Sequence, residues 1–280
     1  MDPVPRVYET LLVSLSGSIC TVTMNRPAAG NTINGALIRE LSEVVSLCED
    51  EGRETPITVL VLRGQPTAFC TGGDLEAMVE AGLTDPDTDT DTDSAGGHHS
   101  GGPSIADPAP LYDLWLRLST GPFVYLCVVQ GRVNAGGVGF VAAADLALAD
   151  PSAELSLSEL LFGLLPACVY PFLSRRVGAQ RAHRLTLSTR PISAAEALQW
   201  SLLDAVEDNV ELALRRQLVS LRRLSRAGLR RYKSFRAGLH GSPEADREAA
   251  LAANRAMFSD PKVRQDIRRY VTEGRFPWEP

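Results

Sequence analysis

The chain has 280 residues, 44% of them apolar and 22% charged, enough to bury a sizeable core as one large domain or one domain with an appendage. Its 28 basic against 34 acidic side chains leave a net charge of −6, which argues against a general binder of nucleic acid or other polyanions. No apolar run approaches the roughly 18–20 residues of a membrane span, and Met1-Asp2-Pro3 opens without the basic and apolar regions of a signal peptide.

In chain order, β-formers come first. Leu11, Val13 and Leu15 alternate with polar residues, and Ile19, Thr21, Val22 and Met24 follow Ser16-Gly17-Ser18. This predicts a β-hairpin over residues 7–25 that stops at Asn25-Arg26-Pro27, where proline ends the ladder. Leu37, Leu41, Val44, Val45 and Cys48 recur at helical spacing and predict a helix from about Asn34 to Glu51. Ile57 to Leu62 is a short continuous apolar run, the pattern of a strand covered on both faces. A loop from Arg63 to Gly73 leads into a helix over Leu75–Ala81. Residues 84–110, with alternating Asp85, Asp87, Asp89, Asp91 and Asp93 and almost no large apolar side chain, predict a mobile surface insertion. Strand Phe123–Gln130, helix Gly136–Ala144 and strand Leu146–Ala149 come next. Such alternation argues for crossover units around a mainly parallel sheet. From about Ser193 the pattern is helical: a capping box at Ser193–Glu196, one long arginine-rich stretch over 211–238, another helix over 244–258, and a non-helical tail from Phe276.

Three segments carry groups able to do chemistry. In Phe69-Cys70-Thr71-Gly72-Gly73-Asp74-Leu75, adjacent glycines stand between a buried strand and a helix. Their N–H groups are unobstructed by Cβ atoms, and the helix dipole adds positive potential, which suits an anion or oxyanion. The plainer alternative is a tight turn with Asp74 as N-cap. Gly131-Arg132-Val133-Asn134-Ala135-Gly136-Gly137-Val138-Gly139 again reads strand, glycine turn and helix, without the Gly-x-Gly-x-x-Gly spacing of a dinucleotide site. A second N–H facing the first would complete a two-donor pocket for a thioester enolate, in which one donor is worth roughly 2.7–4 kcal/mol. The third segment, Ser156 to Pro166, sets Glu159 among apolar residues. An unpaired carboxylate there has a raised pKa, as a general acid or base near neutral pH needs. A surface glutamate at a helix start is the plainer alternative.

Together, Met24-Asn25-Arg26-Pro27, Phe69–Asp74, Ala135-Gly136-Gly137 and Ser158-Glu159 with Gly163 and Pro166 resemble, in order, the motifs of the crotonase (enoyl-CoA hydratase/isomerase) superfamily. Arg175–Gly178, Ile192–Ala197 and Leu202–Asp204 extend the resemblance over residues 7–210. Asn134–Gly137, Ser158–Gly163, Pro166–Cys168, Ala253-Asn254, Phe258–Pro261 and Phe276–Glu279 are similar to the dehydratases of polyketide β-branching cassettes. Those enzymes convert 3-hydroxy-3-methylglutaryl on acyl carrier protein to 3-methylglutaconyl. The resemblance implies an α/β crotonase-like spiral of β-β-α repeats over residues 1–195. A helical C-terminal region over 196–280 would cover the site and join copies into a homotrimer or a dimer of trimers. It further implies N–H donors at Gly73 and Gly136, with Gly137 the neighbouring alternative and Gly72 and Asn134 beside them. Glu159 would be the catalytic carboxyl, Cys168 would lie beside the pocket, and Asn25, Ala28 and Gly30 would border a pantetheine or CoA channel. No metal or redox cofactor is implied, since the substrate rides on the phosphopantetheine of acyl carrier protein or on CoA. Hydratases hold a second glutamate where this chain has Gly139, so a two-carboxylate mechanism does not transfer. The vacated space is expected to admit the methyl and carboxymethyl branches, with Gly139→Glu blocking a branched substrate more than a straight one. The rivals are the decarboxylase acting next in the cassette, a CoA-linked enoyl hydratase, and a non-catalytic assembly protein of the same fold.

Other residues have plainer readings. The five cysteines (Cys20, Cys48, Cys70, Cys127, Cys168) are odd in number and form no Cys-x-x-Cys pair, which disfavours disulfides and zinc and fits a reducing cytoplasm. Cys70 and Cys168 lack a visible base partner and read as packing. His98 and His99 fall in the insertion and read as solvated. Arg132 is a candidate for the substrate's distal carboxylate, against a surface arginine at a strand end. Tyr112 and Trp115 read as core or acyl-pocket wall. Between Leu212 and Pro243 nine arginines and lysines occur with no acidic residue. That run suits an acidic carrier protein and its phosphate, or else a solvated helix or oligomer contact. No aromatic interleaving points to RNA.

Overall fold

The apolar–polar alternation of the first residues folds into the expected hairpin. In the computed structural model, which describes residues 7–82, 107–239 and 242–279, β1 (Leu11–Ser16) and β2 (Ile19–Met24) pair antiparallel. Helix α1 (Gly35–Glu49) starts on the side chain of Asn34, which accepts from the Leu37 amide at 2.9 Å, and it buries Leu37, Leu41, Val44, Val45 and Cys48. Strand β3 (Val59–Arg63) lies parallel to β2, and its first four residues are buried, as an unbroken apolar run requires. Then come β4 (Ala68–Cys70) and α2 (Leu75–Glu80). Most of the expected insertion lies outside the described residues, but its end is described, and Ala109 and Pro110 already belong to a helix.

That helix is α3 (Ala109–Thr120), followed by β5 (Val124–Val129), β6 (Arg132–Asn134), α4 (Gly136–Ala143), β7 (Leu146–Ala149) and β8 (Glu154–Ser156). Next are α5 (Tyr170–Val177), α6 (Ala179–Ser188), β9 (Ile192–Ser193), α7 (Ala194–Gln199) and β10 (Ala205–Val206). The strands form two sheets. The larger has the order β1-β2-β3-β5-β7-β10 and is parallel except at β1; the smaller has the order β4-β6-β8-β9 and is parallel except at β9. Each of β3, β5 and β7 feeds a three-residue strand of the smaller sheet and then a helical turn. This is the crotonase-like β-β-α spiral.

The C-terminal region is helical: α8 (Val210–Leu221), α9 (Arg226–Leu239), α10 (Arg247–Ser259) and α11 (Pro261–Glu273). The single helical stretch expected over 211–238 is in fact two helices. Ser225 breaks it, because its hydroxyl accepts from the Gly228 amide at 3.1 Å and so starts a new helix. Arg226 donates to the carbonyls of Cys48, Glu49 and Ile57, and Lys233 pairs with Asp145 at 2.6 Å. These anchors sit where β3, β5 and β7 begin, so the basic run lies at the opposite end of the strands from their exits. No helix among the described residues is long and apolar enough to cross a membrane.

Candidate active site

Because β4, β6 and β8 are adjacent parallel strands, their exits lie side by side and three distant motifs meet there. At the first exit, Thr71–Asp74 is laced to Gly30–Asn34. The Thr71 amide donates to the Gly30 carbonyl (3.1 Å), that of Ile33 to Gly72 (2.8 Å), and that of Asp74 to Ile33 (3.0 Å). Buried Asn31 adds two bonds, from Nδ2 to the carbonyls of Ala68 (3.0 Å) and Phe69 (3.2 Å), while Oδ1 accepts from the Arg26 amide. Asp74 caps α2 through the Ala77 amide and pairs with Arg26 at 2.7 Å. Burial pushes its carboxyl up, but Arg26, the Ala77 amide and Thr32 outweigh this and hold it below the usual carboxylate range. Asp74 is a fixed anion of the scaffold, not a base.

Gly72 has φ 104, and a Cβ there would stand 3.0 Å from the Cβ of Ala135 at the second exit, so only glycine fits. Ala135 itself holds φ 50 and ψ −119, a conformation that costs of order 1–3 kcal/mol for a residue with a Cβ. The strain is offset by anchoring: the Ala135 amide donates to Ser156 at 3.1 Å. A Cβ on Gly137 would run into the Cys70 carbonyl, whose carbon would be 3.1 Å away. Gly137→Ala is therefore expected to destabilise the fold by about 1–3 kcal/mol, readable as a lower midpoint in urea. These contacts set Gly73 and Gly136 on abutting bends. Among the described residues no hydrogen bond uses the N–H of either one, and Gly136, first in α4, has no intrahelical acceptor.

At the third exit Glu159 opens the 3-10 turn Glu159–Phe162. Asn134 Nδ2 donates to Ser158 Oγ (2.7 Å) and Ser156 Oγ donates to Asn134 Oδ1 (2.9 Å), so the second bend and this turn are tied together. Glu159 Oε2 is buried and has no hydrogen-bond partner among the described residues. Burial raises the carboxyl to about 7, and the amides of Glu159 and Ser158 offset only part of the rise. Such a group takes up and returns a proton at neutral pH.

Gly73, Gly136 and Glu159 line one cavity of about 190 Å³, room for a short acyl group. Its remaining wall is largely apolar and includes Ile33, Trp115, Phe162, and Met257 and Phe258 of α10. The other acid at its wall, Asp107, is engaged by Arg255 at 3.2 Å and by the Ala109 amide. An adjoining cavity of about 380 Å³ shares Thr71, Asn134 and Ser158 and contains Arg132. A wider groove of about 710 Å³ beyond Leu165–Ala167 holds neither Glu159 nor the glycine bends. Phe162 packs on Tyr270 (4.9 Å) and Phe276 (5.7 Å), and Phe276 stacks on Trp278 (4.7 Å), so the aromatic tail braces the turn of Glu159. Among the described residues no cluster of His, Cys, Asp and Glu is disposed to hold a metal.

The sequence model of the enoyl-CoA hydratase/isomerase family matches residues 14–100 and 102–280. The chain belongs to that family. It is 44% identical over 272 residues to the bacillaene synthase dehydratase PksH of Bacillus subtilis, covering 97% of each chain. It is 28% identical over 251 residues to the 2,3-dehydroadipyl-CoA hydratase of Escherichia coli, covering 89% of each. The crystal structure of a polyketide biosynthesis enoyl-CoA hydratase (pksH) from Bacillus subtilis is similar with a TM-score of 0.85 and 44% identity, over 97% of this chain and 100% of that one.

In this enoyl-CoA hydratase/isomerase family member, Gly73, Gly136, Asn134, Glu159 and Cys168 meet at one cavity. Burial pushes the thiols of Cys70 and Cys168 up to about 12, so neither is a thiolate nucleophile at neutral pH. All five cysteines are buried and unbridged. Gly72 and Gly137 shape the bends from behind. Asn25, Ala28 and Gly30 lie outside the cavity wall: Asn25 bonds its amide to Thr10, Ala28 is exposed in the 3-10 turn Pro27–Ala29, and Gly30 reaches the cavity through Thr71. Gly139 requires a correction. No space is vacated there, because a Cβ would run into Trp115, with Cη2 at 2.6 Å and Cε2 at 2.8 Å. The lacing by Asn31 and the Arg26–Asp74 pair escaped the sequence reading, although Asn at φ 56 after Arg26-Pro27 is a turn signal of known kind. His98 and His99 lie outside the described residues.

Proposed function

We propose that this cavity dehydrates 3-hydroxy-3-methylglutaryl, carried as a thioester on acyl carrier protein, to 3-methylglutaconyl. The observation that carries the reading is a buried carboxyl at about 7, its Oε2 without a hydrogen-bond partner among the described residues, in the same cavity as two main-chain amides that no described residue engages. The likeness to the dehydratase PksH supports it. The thioester oxygen accepts from the N–H groups of Gly73 and Gly136, which acidifies the C2 proton. Glu159 takes that proton and the electron pair passes into the enolate. The C3–O bond then breaks, O3 receives the same proton back from Glu159, and water leaves as C2=C3 forms. One carboxyl suffices because the proton leaves and returns on one face. Incubation with 3-hydroxy-3-methylglutaryl carrier protein and with its CoA analogue, read by mass, tests this. A product lighter by one water, formed faster on the carrier protein, is expected. Loss of carbon dioxide, or no reaction, overturns the assignment.

The reactive cavity has no cation among its described lining residues, so the distal carboxylate is assigned to Arg132 in the adjoining one. Arg132→Gln is expected to raise KM for the glutaryl substrate by about 10-fold or more, the worth of a charge-assisted hydrogen bond. KM for an analogue lacking the carboxylate should stay near the parent value. We assign the loop carrying half-buried Asn25, exposed Ala28 and half-buried Gly30 to the rim where the pantetheine arm enters. Val219, Tyr232 and Phe235 on α8 and α9 are 59%, 60% and 65% exposed, and with the basic run they support association of copies at that end as a trimer or dimer of trimers.

A further inference from the structure

Trp115, part of the cavity wall, carries a buried polar atom that the dehydration as described does not use. Its ring lines the cavity and is 1% exposed, yet its indole N–H has no hydrogen-bond partner among the described residues. An N–H taken out of water and left unpaired is destabilising, and nearly all buried ones are satisfied. The ring is not free to turn toward a partner either. Phe140 and Phe172 pack edge-on against it, each at 5.7 Å between centroids and at 90° and 74°. The indole occupies the place that a side chain at Gly139 would take, and Cε2, the carbon bonded to Nε1, is 2.8 Å from that Cβ position. Cζ2 is 3.9 Å from the Cβ position of Gly136, so the ring borders one of the two amide donors.

We infer that the indole N–H of Trp115 donates a hydrogen bond to the C3 hydroxyl oxygen of the bound 3-hydroxyacyl thioester and steadies the leaving group. This rests on the dehydratase reading. With the thioester oxygen met by Gly73 and Gly136, C2 facing Glu159 and the distal carboxylate assigned to the Arg132 cavity, O3 is the oxygen left without a donor until Glu159 returns its proton. Indole is a donor only and keeps its proton at neutral pH. In the elimination the C3–O electron pair goes to O3, the proton comes from Glu159, and Trp115 holds the oxygen while charge builds on it.

The test uses Glu159→Gln to prevent turnover, so that the affinities of substrate and product can be compared. Binding of 3-hydroxy-3-methylglutaryl and 3-methylglutaconyl carrier protein is measured in Glu159→Gln alone and in Glu159→Gln with Trp115→Phe. Phenylalanine keeps an aromatic ring and removes the N–H. The hydroxylated ligand is expected to bind roughly 3- to 10-fold more weakly in the double variant, and the enoyl ligand, which has no O3, equally well. Equal loss for both ligands marks a packing defect or a donor to the shared carboxylate, and overturns the inference, as does no loss for either. If the Phe variant does not fold, benzothienylalanine at position 115, isosteric with sulfur in place of the N–H, gives the same comparison. In otherwise unaltered enzyme, Trp115→Phe should lower kcat by about 10-fold or more, the worth of a hydrogen bond to a group gaining charge, with KM changed less. Failure of the dehydratase reading shows separately, as an unaltered enzyme that removes no water.

Discussion

Glu159→Gln is expected to reduce dehydration by about 100- to 10,000-fold, the usual contribution of a positioned acid–base group, while the acyl carrier still binds. The amide has the carboxyl's size and cannot carry the proton. In the parent enzyme, kcat/KM should fall tenfold per pH unit below about 7, where Glu159 becomes protonated, and level off above it. The same substitution has a stability signature of opposite sense. Burial raises Glu159 from 4.5 to about 7, so the folded chain holds this proton more tightly than the unfolded one. The resulting stability is fully present below about 4.5 and is lost as the pH rises through about 7, a difference on the order of 3 kcal/mol. Glutamine stays neutral and avoids that loss. The variant should therefore melt above the parent at pH 8 by roughly 5–10 °C, and the gap should close as the pH approaches 4.5. A dead enzyme that is more stable only at high pH identifies a buried carboxylate as the cause. Near-normal turnover, or equal melting at pH 8, would count against a buried general base at Glu159.

The hairpin, α1 and β3 were legible because each carries a periodic pattern long enough to read: alternation around Ser16-Gly17-Ser18, helical spacing from Leu37 to Cys48, an unbroken run from Ile57. The three site motifs were legible one by one through their glycines and through a carboxylate among apolar neighbours. Their meeting was legible only through the family resemblance, because β4, β6 and β8 have three residues each and such strands show no period. Asn31 binds Ala68 and Phe69, with |i−j| of 37 and 38, a pairing no local pattern carries. Helix α11 is marked by Asp260-Pro261, a cap followed by proline at the first helical position, and the Asp260 carboxylate accepts from the Lys262 amide at 2.8 Å. The arginine run disguised a break, since Arg222 to Ser225 has neither glycine nor proline and only the Ser225 hydroxyl starts α9.

Gly139→Ala, the smallest change possible at that position, sets two effects of opposite sign against each other. Alanine in a helix interior is favoured over glycine by about 1 kcal/mol. Here the added Cβ would lie 2.6 and 2.8 Å from two indole carbons of Trp115, with Cζ2 nearer still. The ring cannot swing away from Phe140 and Phe172 without opening the core, and overpacking of this kind typically costs 1–3 kcal/mol (about 2 is a fair centre). Sterics are expected to win, giving a lower melting temperature despite the gain in helix propensity. Any shift of the ring also moves the wall beside Gly136, so turnover should drop for branched and straight-chain substrates alike. By the same argument Gly139→Glu should damage both, in place of the selective block that an empty space would have produced. A double-mutant cycle with Trp115→Leu isolates the contact: the smaller side chain should recover part of the stability lost by Gly139→Ala, a coupling that distant, independent sites do not show. An alanine variant as stable as the parent, or strict additivity in the cycle, would mean that Trp115 does not fill the space that Gly139 leaves.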